Sequence, residues 1–182
     1  FIVEYPDGSK AFYGNSSDSR SITDWSITYW ENPQGVRISY SYYNDNNSLR
    51  INSINYGSLR TATPINQIQF IYKTRQRPEQ AFIGGQAVAI NSILSEIKVT
   101  GNGVGYRNYT LNHDITSLGY ERLISITEKS GDLTKSYKPT TFSYETISNN
   151  DLFQISNPIT LNVNNINYTN SNNITGDFDG DG

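Results

Sequence analysis

Alternation of apolar and polar residues is the feature that most constrains the fold of this chain. In the segment VRISYSYY, apolar or aromatic residues at Val36, Ile38, Tyr40 and Tyr42 alternate with polar or charged ones. Successive side chains of a strand point to opposite faces of a sheet, so this spacing predicts a half-buried antiparallel strand. Similar segments recur at short spacing between turn sequences, which is typical of β-sandwiches and barrels.

Two turn sequences support this interpretation. Pro6-Asp7-Gly8 separates FIVEY from KAFYG and predicts a hairpin, while Asn32-Pro33-Gln34-Gly35 fits a type I turn. Fourteen tyrosines and many asparagines, against few Ala, Leu and Glu, also favour strands joined by turns. We therefore predict an all-β fold, a mainly antiparallel β-sandwich or pair of sheets with little helix.

Two segments depart from simple alternation. The phase of the apolar residues breaks at Asn52-Ser53, which indicates a β-bulge. In AVAINSILSEIKVTG, residues 87–101, the apolar spacing also suits a short helix. Here we predict a loop or one helical turn, followed by a strand.

A weak internal repeat suggests the domain organisation. Ser53-Ile54 and Phe70-x-Tyr72 recur 72 residues later as Ser125-Ile126 and Phe142-x-Tyr144. We predict one β domain over residues 1–156 with a duplicated three-strand meander, about 36–73 and 108–145. Residues 157–182 are predicted to form an Asn-rich strand and linker that ends in the start of a calcium loop.

Composition excludes several functions. The net charge is −3 with scattered Lys and Arg, so no nucleic-acid partner is expected. Without cysteine there is no disulfide, thiolate metal site or cysteine nucleophile. No apolar run reaches the roughly 18 residues that predict a membrane span. The start at Phe1, in what reads as mid-strand, and the absence of methionine suggest a piece of a longer protein.

The final residues, ITGDFDGDG, contain the best candidate site. Asp177, Asp179 and Asp181 alternate before Gly182, and hard cations such as Ca²⁺ prefer six to eight oxygen ligands on such a loop. The helical calcium hand adds ligands at positions 7 and 12, beyond Gly182. We predict an incomplete calcium loop, empty in this fragment and filled in the intact protein, and no other cofactor.

Three further groups are weaker candidates. His113 is the sole histidine and is predicted to be a solvated turn residue, because no nucleophile or second acid is evident beside it. Lys73, Arg75 and Arg77 alternate and either bind an acidic partner or, as we favour, keep a strand edge soluble. The tyrosines of SYSYY either stack on sugars or, as we favour, face the core.

The order of several motifs resembles a known family. RLISITEKSGD at Arg122–Asp132, PTTFSY at Pro139–Tyr144 and GDFDGDG at Gly176–Gly182 follow IQFIYKTRQRPE and ILSEIKVTG. This order is similar to the SpvB-type N-terminal region of RHS-type secreted proteins and of the B component of insecticidal toxin complexes. In that family the region precedes FG-GAP-type β-propeller repeats.

The resemblance implies a function without catalysis. It implies a structural segment of a large secreted or surface bacterial protein, part of a shell that encloses or presents a C-terminal effector, with downstream β-propeller and RHS-repeat domains as partners. We do not expect an enzyme, since the Glu-x-Glu pair of the family's ADP-ribosyltransferase domain is absent. The alternative is an adhesin-like module that binds a cell-surface glycan or host protein.

Overall fold

The computed structural model describes residues 1–45 and 47–145, and every regular element in them is a strand. The ten strands are β1 Ile2–Glu4, β2 Lys10–Tyr13, β3 Ile27–Glu31, β4 Val36–Asp45, β5 Ser48–Leu59, β6 Asn66–Ile83, β7 Gln86–Gly101, β8 Val104–Ile115, β9 Glu121–Ser130 and β10 Thr140–Thr141. The predicted all-β fold is therefore confirmed.

The strands pair in the order in which they occur in the sequence. They form one ten-stranded sheet, β1 to β10, in which each strand is antiparallel to the next. The predicted antiparallel arrangement is confirmed, and the described strands belong to one continuous sheet rather than to two separate ones. Most of the connections are short, and a strand that follows a tight turn pairs most readily with the strand before it.

The predicted turns and the predicted bulge are present. The Gly8 amide donates to the Tyr5 carbonyl at 2.9 Å, and the Gly35 amide to Asn32 at 2.9 Å. Gly35 has a φ of 84°, a left-handed conformation that glycine adopts without strain. The register between β4 and β5 skips Asn52, which is the extra residue of a bulge.

The prediction of a loop or helical turn before the strand in residues 87–101 was wrong. The whole segment belongs to β7, which pairs with β6 from Gln86 to Gly101. From Glu96 onward β7 also pairs with β8. Pairing with its neighbours thus outweighs the local apolar spacing that suggested a helix.

The two predicted copies of the meander contain similar contacts. Arg50 pairs with Asp45 across β4 and β5, and Arg122, 72 residues later, pairs with Asp114 across β8 and β9. In the first copy, the Ser41 and Ser53 hydroxyls share a hydrogen bond of 2.8 Å. In the second copy, the Asn112 side chain donates a hydrogen bond to the Ser125 hydroxyl at 3.0 Å. These parallels favour a duplication, which stays a prediction.

The first compact unit of the chain is Phe1–Ser143. The predicted domain boundary at residue 156 and the predicted strand and linker over 157–182 lie outside the described residues.

The sheet buries few apolar side chains completely. Among the described residues, Ala11 is the one apolar residue classed as buried, whereas most strand residues are partly exposed. A domain normally buries the apolar face of a sheet against a second layer of structure. The described strands alone therefore provide a thin core.

The close approach of two glycines sets a steric limit at one end of the sheet. A Cβ atom added to Gly131 would overlap the backbone carbonyl group of Gly105 on β8. We expect Gly131→Ala to lower the free energy of unfolding by about 1–3 kcal/mol, because backbone must move to admit the methyl group. Urea unfolding followed by circular dichroism measures this.

Gly101→Ala is the matched control, since its added Cβ would meet only the Asn66 side-chain oxygen at 3.3 Å. Equal losses of stability in the two variants would contradict the proposed backbone contact.

Candidate functional site

An apolar trough crosses the middle of the sheet on one face of β6 to β9. Its volume is about 570 Å³. The lining residues are all apolar or aromatic and partly buried: Ile68 and Phe70 on β6, Ile97 and Val99 on β7, Tyr109 and Leu111 on β8, and Ile126 on β9.

Strand register explains why these side chains meet. Phe70 lies opposite Ile97, which in turn lies opposite Tyr109. Leu111 lies opposite Ile126 in the next pair of strands. Directly opposite residues of an antiparallel pair share a face, so alternation within four successive strands assembles one apolar surface.

The other face of the same strands is polar. Lys98 lies 3.7 Å from Glu96 on this face, and the buried Asn108 side chain donates a hydrogen bond to Glu96. Gln69 shares this face, because it lies opposite Lys98. The sheet is thus amphipathic across its centre.

The sheet curls so that β6 approaches β9, although two strands lie between them. Lys73 Nζ lies 3.7 Å from Glu121 Oε1, and the Gln76 amide donates to Glu121 Oε2 at 3.3 Å. Three strand spacings in a flat sheet amount to about 14 Å. We call this contact, formed by Lys73, Gln76 and Arg77 with Leu118, Tyr120 and Glu121, the clasp.

Arg77 completes the clasp with two contacts. Its guanidinium group donates to the Leu118 carbonyl and lies 4.3 Å from the centre of the Tyr120 ring. A planar cation stacked on an aromatic ring while it donates a hydrogen bond is well suited to join two strands.

The prediction that the three alternating cations keep a strand edge soluble stays a prediction. They lie in the part of β6 beyond Gln69, which no longer pairs with β5, and Lys73 and Arg77 belong to the clasp. Arg75 pairs with Glu79 and also donates to the Ser92 carbonyl at 3.2 Å. All three side chains are therefore engaged within the chain rather than presented to an acidic partner.

His113 lies within β8, opposite Leu123, so its prediction as a solvated turn residue was wrong. Its Nδ1 atom is buried and has no hydrogen-bond partner among the described residues. Burial lowers the pKa of His113, the charges of Lys73 and Arg75 lower it further, and Glu121 opposes them.

The tyrosines of SYSYY divide between two environments. Tyr42 is partly buried and donates its hydroxyl to the Ile27 carbonyl at 2.7 Å, and burial raises its pKa to about 12. Tyr43 is 40% exposed, and Arg50 lies 4.8 Å from its ring centre. The environment of Tyr42 agrees with the prediction that these tyrosines face the core, whereas the Tyr43 ring is accessible to solvent.

The predicted metal ligands Asp177, Asp179 and Asp181 lie outside the described residues. Over residues 1–45 and 47–145, no group of three or more His, Asp or Glu side chains is arranged to hold a metal ion. That part of the chain also has no helix long and apolar enough to cross a membrane.

Sequence reasoning identified the strands of the trough but not the trough or the clasp. The alternation in QIQFIY, EIKVT, YTLN and LISIT marks the apolar positions once the strand order is known. The clasp had no comparable signal, because it joins residues about 45 positions apart through the curl of the sheet.

Comparison with solved structures identifies proteins with a similar fold. The N-terminal domain of the effector protein SpvB from Salmonella typhimurium strain LT2 superposes with a TM-score of 0.63 at 13% identity, over 71% of this chain and 60% of that one. The fold resembles that of the SpvB N-terminal domain. No family model matches the sequence, and no curated protein matches it.

Toxin-complex chains contain the same SpvB-like fold. The TcdB2-TccC3-TEV structure matches with a TM-score of 0.68 at 13% identity, over 81% of this chain and 10% of that one. A Tc holotoxin pore from Photorhabdus luminescens matches with a TM-score of 0.66 at 12% identity, over 79% and 10%. This chain therefore spans about a tenth of the toxin-complex chains and three fifths of the SpvB structure.

Replacement of Glu121 tests the clasp. Its side chain is only 5% exposed, forms an ion pair with Lys73 and accepts a hydrogen bond from the Gln76 amide, so we expect Glu121→Ala to cost about 1–2 kcal/mol of unfolding free energy. Glu4→Ala is the control, because the Glu4 and Lys10 side chains are 65% and 47% exposed and such pairs contribute about 0–1 kcal/mol. Equal effects in chemical unfolding would argue against a stabilising clasp.

The pH dependence of stability tests the environment of His113. Its pKa in the folded chain lies below the ordinary value of 6.5, so the unfolded chain binds more protons as the pH falls through 6.5. Stability should therefore be fully present above 6.5 and decrease as the pH falls towards the folded-state pKa. Because the sequence contains one histidine, His113→Gln should flatten the melting temperature between pH 7.5 and 5. An unchanged profile would contradict this assignment.

Proposed function

We propose that this chain is a non-catalytic structural segment of a large secreted bacterial protein of the RHS and toxin-complex type. In this role it forms part of a shell that encloses or presents a C-terminal effector. Its partners are the downstream β-propeller and RHS-repeat domains of the same polypeptide. Asp177, Asp179 and Asp181 then begin the first calcium loop of the propeller and bind Ca²⁺ with ligands beyond Gly182.

The observation that carries the proposal is the apolar trough in a sheet with a thin core. Seven partly buried apolar side chains line the trough, while Ala11 is the one buried apolar residue among those described. Such a surface gains free energy when further polypeptide covers it, at roughly 25 cal/mol per Å² of apolar area. The SpvB-like fold supports the same role, since the toxin-complex chains that contain it are about ten times longer than the matched region.

Limited proteolysis of the full-length polypeptide tests the proposal. We expect the part that follows the propeller to resist protease in the intact protein and to be cleaved several-fold faster when Phe70→Asp places a charge in the trough. Gln69→Asp is the matched control, because Gln69 is the neighbouring residue on the polar face of the same strand. It should leave the protection unchanged.

Circular dichroism of the 182-residue chain separates this effect from misfolding, since both variants should keep the strand signal. Two results would overturn the proposal. One is a downstream part that is as protease-sensitive in the intact protein as in isolation, and the other is equal cleavage of the two variants.

A further inference from the structure

A polar cleft lies between the end of the β4–β5 hairpin and the outer half of β6 and β7. The pairing of β5 with β6 stops at Ser53 and Gln69, so the hairpin end separates from β6 beyond this point. The Asn47 side chain then donates to the Ala87 carbonyl of β7 at 2.9 Å and joins the two arms. The space between them has a volume of about 390 Å³, within the range of about 300–1,000 Å³ usual for ligand sites.

The cleft has a fixed inner wall. Arg50 lies 4.8 Å from the ring centre of Tyr43 and 5.0 Å from that of Tyr72, and it pairs with Asp45. The Tyr72 hydroxyl donates to the Ile51 carbonyl at 2.9 Å, which spans the gap between β5 and β6. These contacts hold the guanidinium group in one position before any ligand enters, which reduces the entropy lost on binding.

The remaining polar groups of the cleft are available to a ligand. Ser48, Thr74, Asn91 and Ser92 line it, and within the described part of the chain their side chains make no hydrogen bond. Three hydroxyls and one amide both donate and accept hydrogen bonds. Ala89 and Ile90, the latter 37% exposed, add a small apolar surface beside them.

The charges of the cleft indicate a neutral ligand. The lining contains one cation, Arg50, and one carboxylate, Asp45, and these two pair with each other. A charged ligand would have to compete with that pair and would meet no net opposite charge. A polyhydroxylated ligand with an apolar ring face instead matches the hydroxyls, the amide and the apolar patch.

We propose that this cleft binds a neutral carbohydrate through Asn91, Ser92 and Arg50, with Ile90 against a sugar ring. This activity goes beyond the structural role and does not depend on it. Because the cleft lies outside the trough, carbohydrate binding and packing of the trough are separable by mutation.

The proposal can be tested on an array of immobilised neutral mono- and oligosaccharides. Calorimetry then measures the affinity for the sugar that binds most strongly. We expect Asn91→Ala and Ser92→Ala each to weaken binding about tenfold, as expected for the loss of one or two well-formed hydrogen bonds. Asn15→Ala is the control, since the Asn15 side chain is exposed, lies outside the cleft and makes no hydrogen bond among the described residues. It should leave the affinity unchanged.

Asn91 is itself exposed, so its replacement should not unfold the chain. The proposal is overturned by an absence of binding to neutral glycans, by binding confined to sulfated or sialylated glycans, or by binding that survives both substitutions. If a peptide bound instead of a glycan and both substitutions abolished that binding, the cleft would belong to another class of ligand. That result would also overturn the proposal.

Discussion

The contact between β6 and β9 is the interaction on which the shape of the described sheet depends. A meander in which every strand pairs with its neighbours specifies hydrogen bonds but not curvature. Glu121 supplies the missing constraint, because its nearly buried carboxylate accepts a hydrogen bond from the Gln76 amide and pairs with Lys73 on a strand three places away. The curl in turn makes the apolar face of β6 to β9 concave.

The same curl accounts for the environment of the sole histidine. His113 lies on β8, and its electrostatic neighbours Lys73, Arg75 and Glu121 come from β6 and β9. The sheet thus gathers two cations, one carboxylate and one imidazole at a single place. Each charged group there has a partner within the chain, so these contacts stabilise the shape of the sheet.

Local patterns predicted much of the fold. The alternation of VRISYSYY, the turn at Asn32 to Gly35 and the bulge at Asn52 depend on a few neighbouring residues, and the structure contains all three. The errors concern residues that were placed in a loop or a turn but lie within strands. The start of β7 and His113 were misjudged because their conformation is decided by pairing with a neighbouring strand, which the pattern within one segment does not encode.

Prediction of the candidate site from the sequence failed for a different reason. Each apolar position of the trough was visible in the sequence, yet the trough exists only because four such strands are neighbours in the sheet. The polar cleft depends on the separation of β5 from β6 after Ser53, for which the sequence offers no marker. Fold class can therefore be predicted from short segments, whereas a concave surface depends on how those segments are arranged in the sheet.

The sequential strand order also affects how the chain folds. Since each strand pairs with the one before it, no connection has to cross the sheet, and closing the short loops between most neighbouring strands costs little entropy. The hairpins at the N-terminus can pair before the later strands have been synthesised, so the sheet can grow by addition at one edge. Among the described contacts, the approach of β9 to β6 requires four strands to be in place, so we expect it to form late in folding.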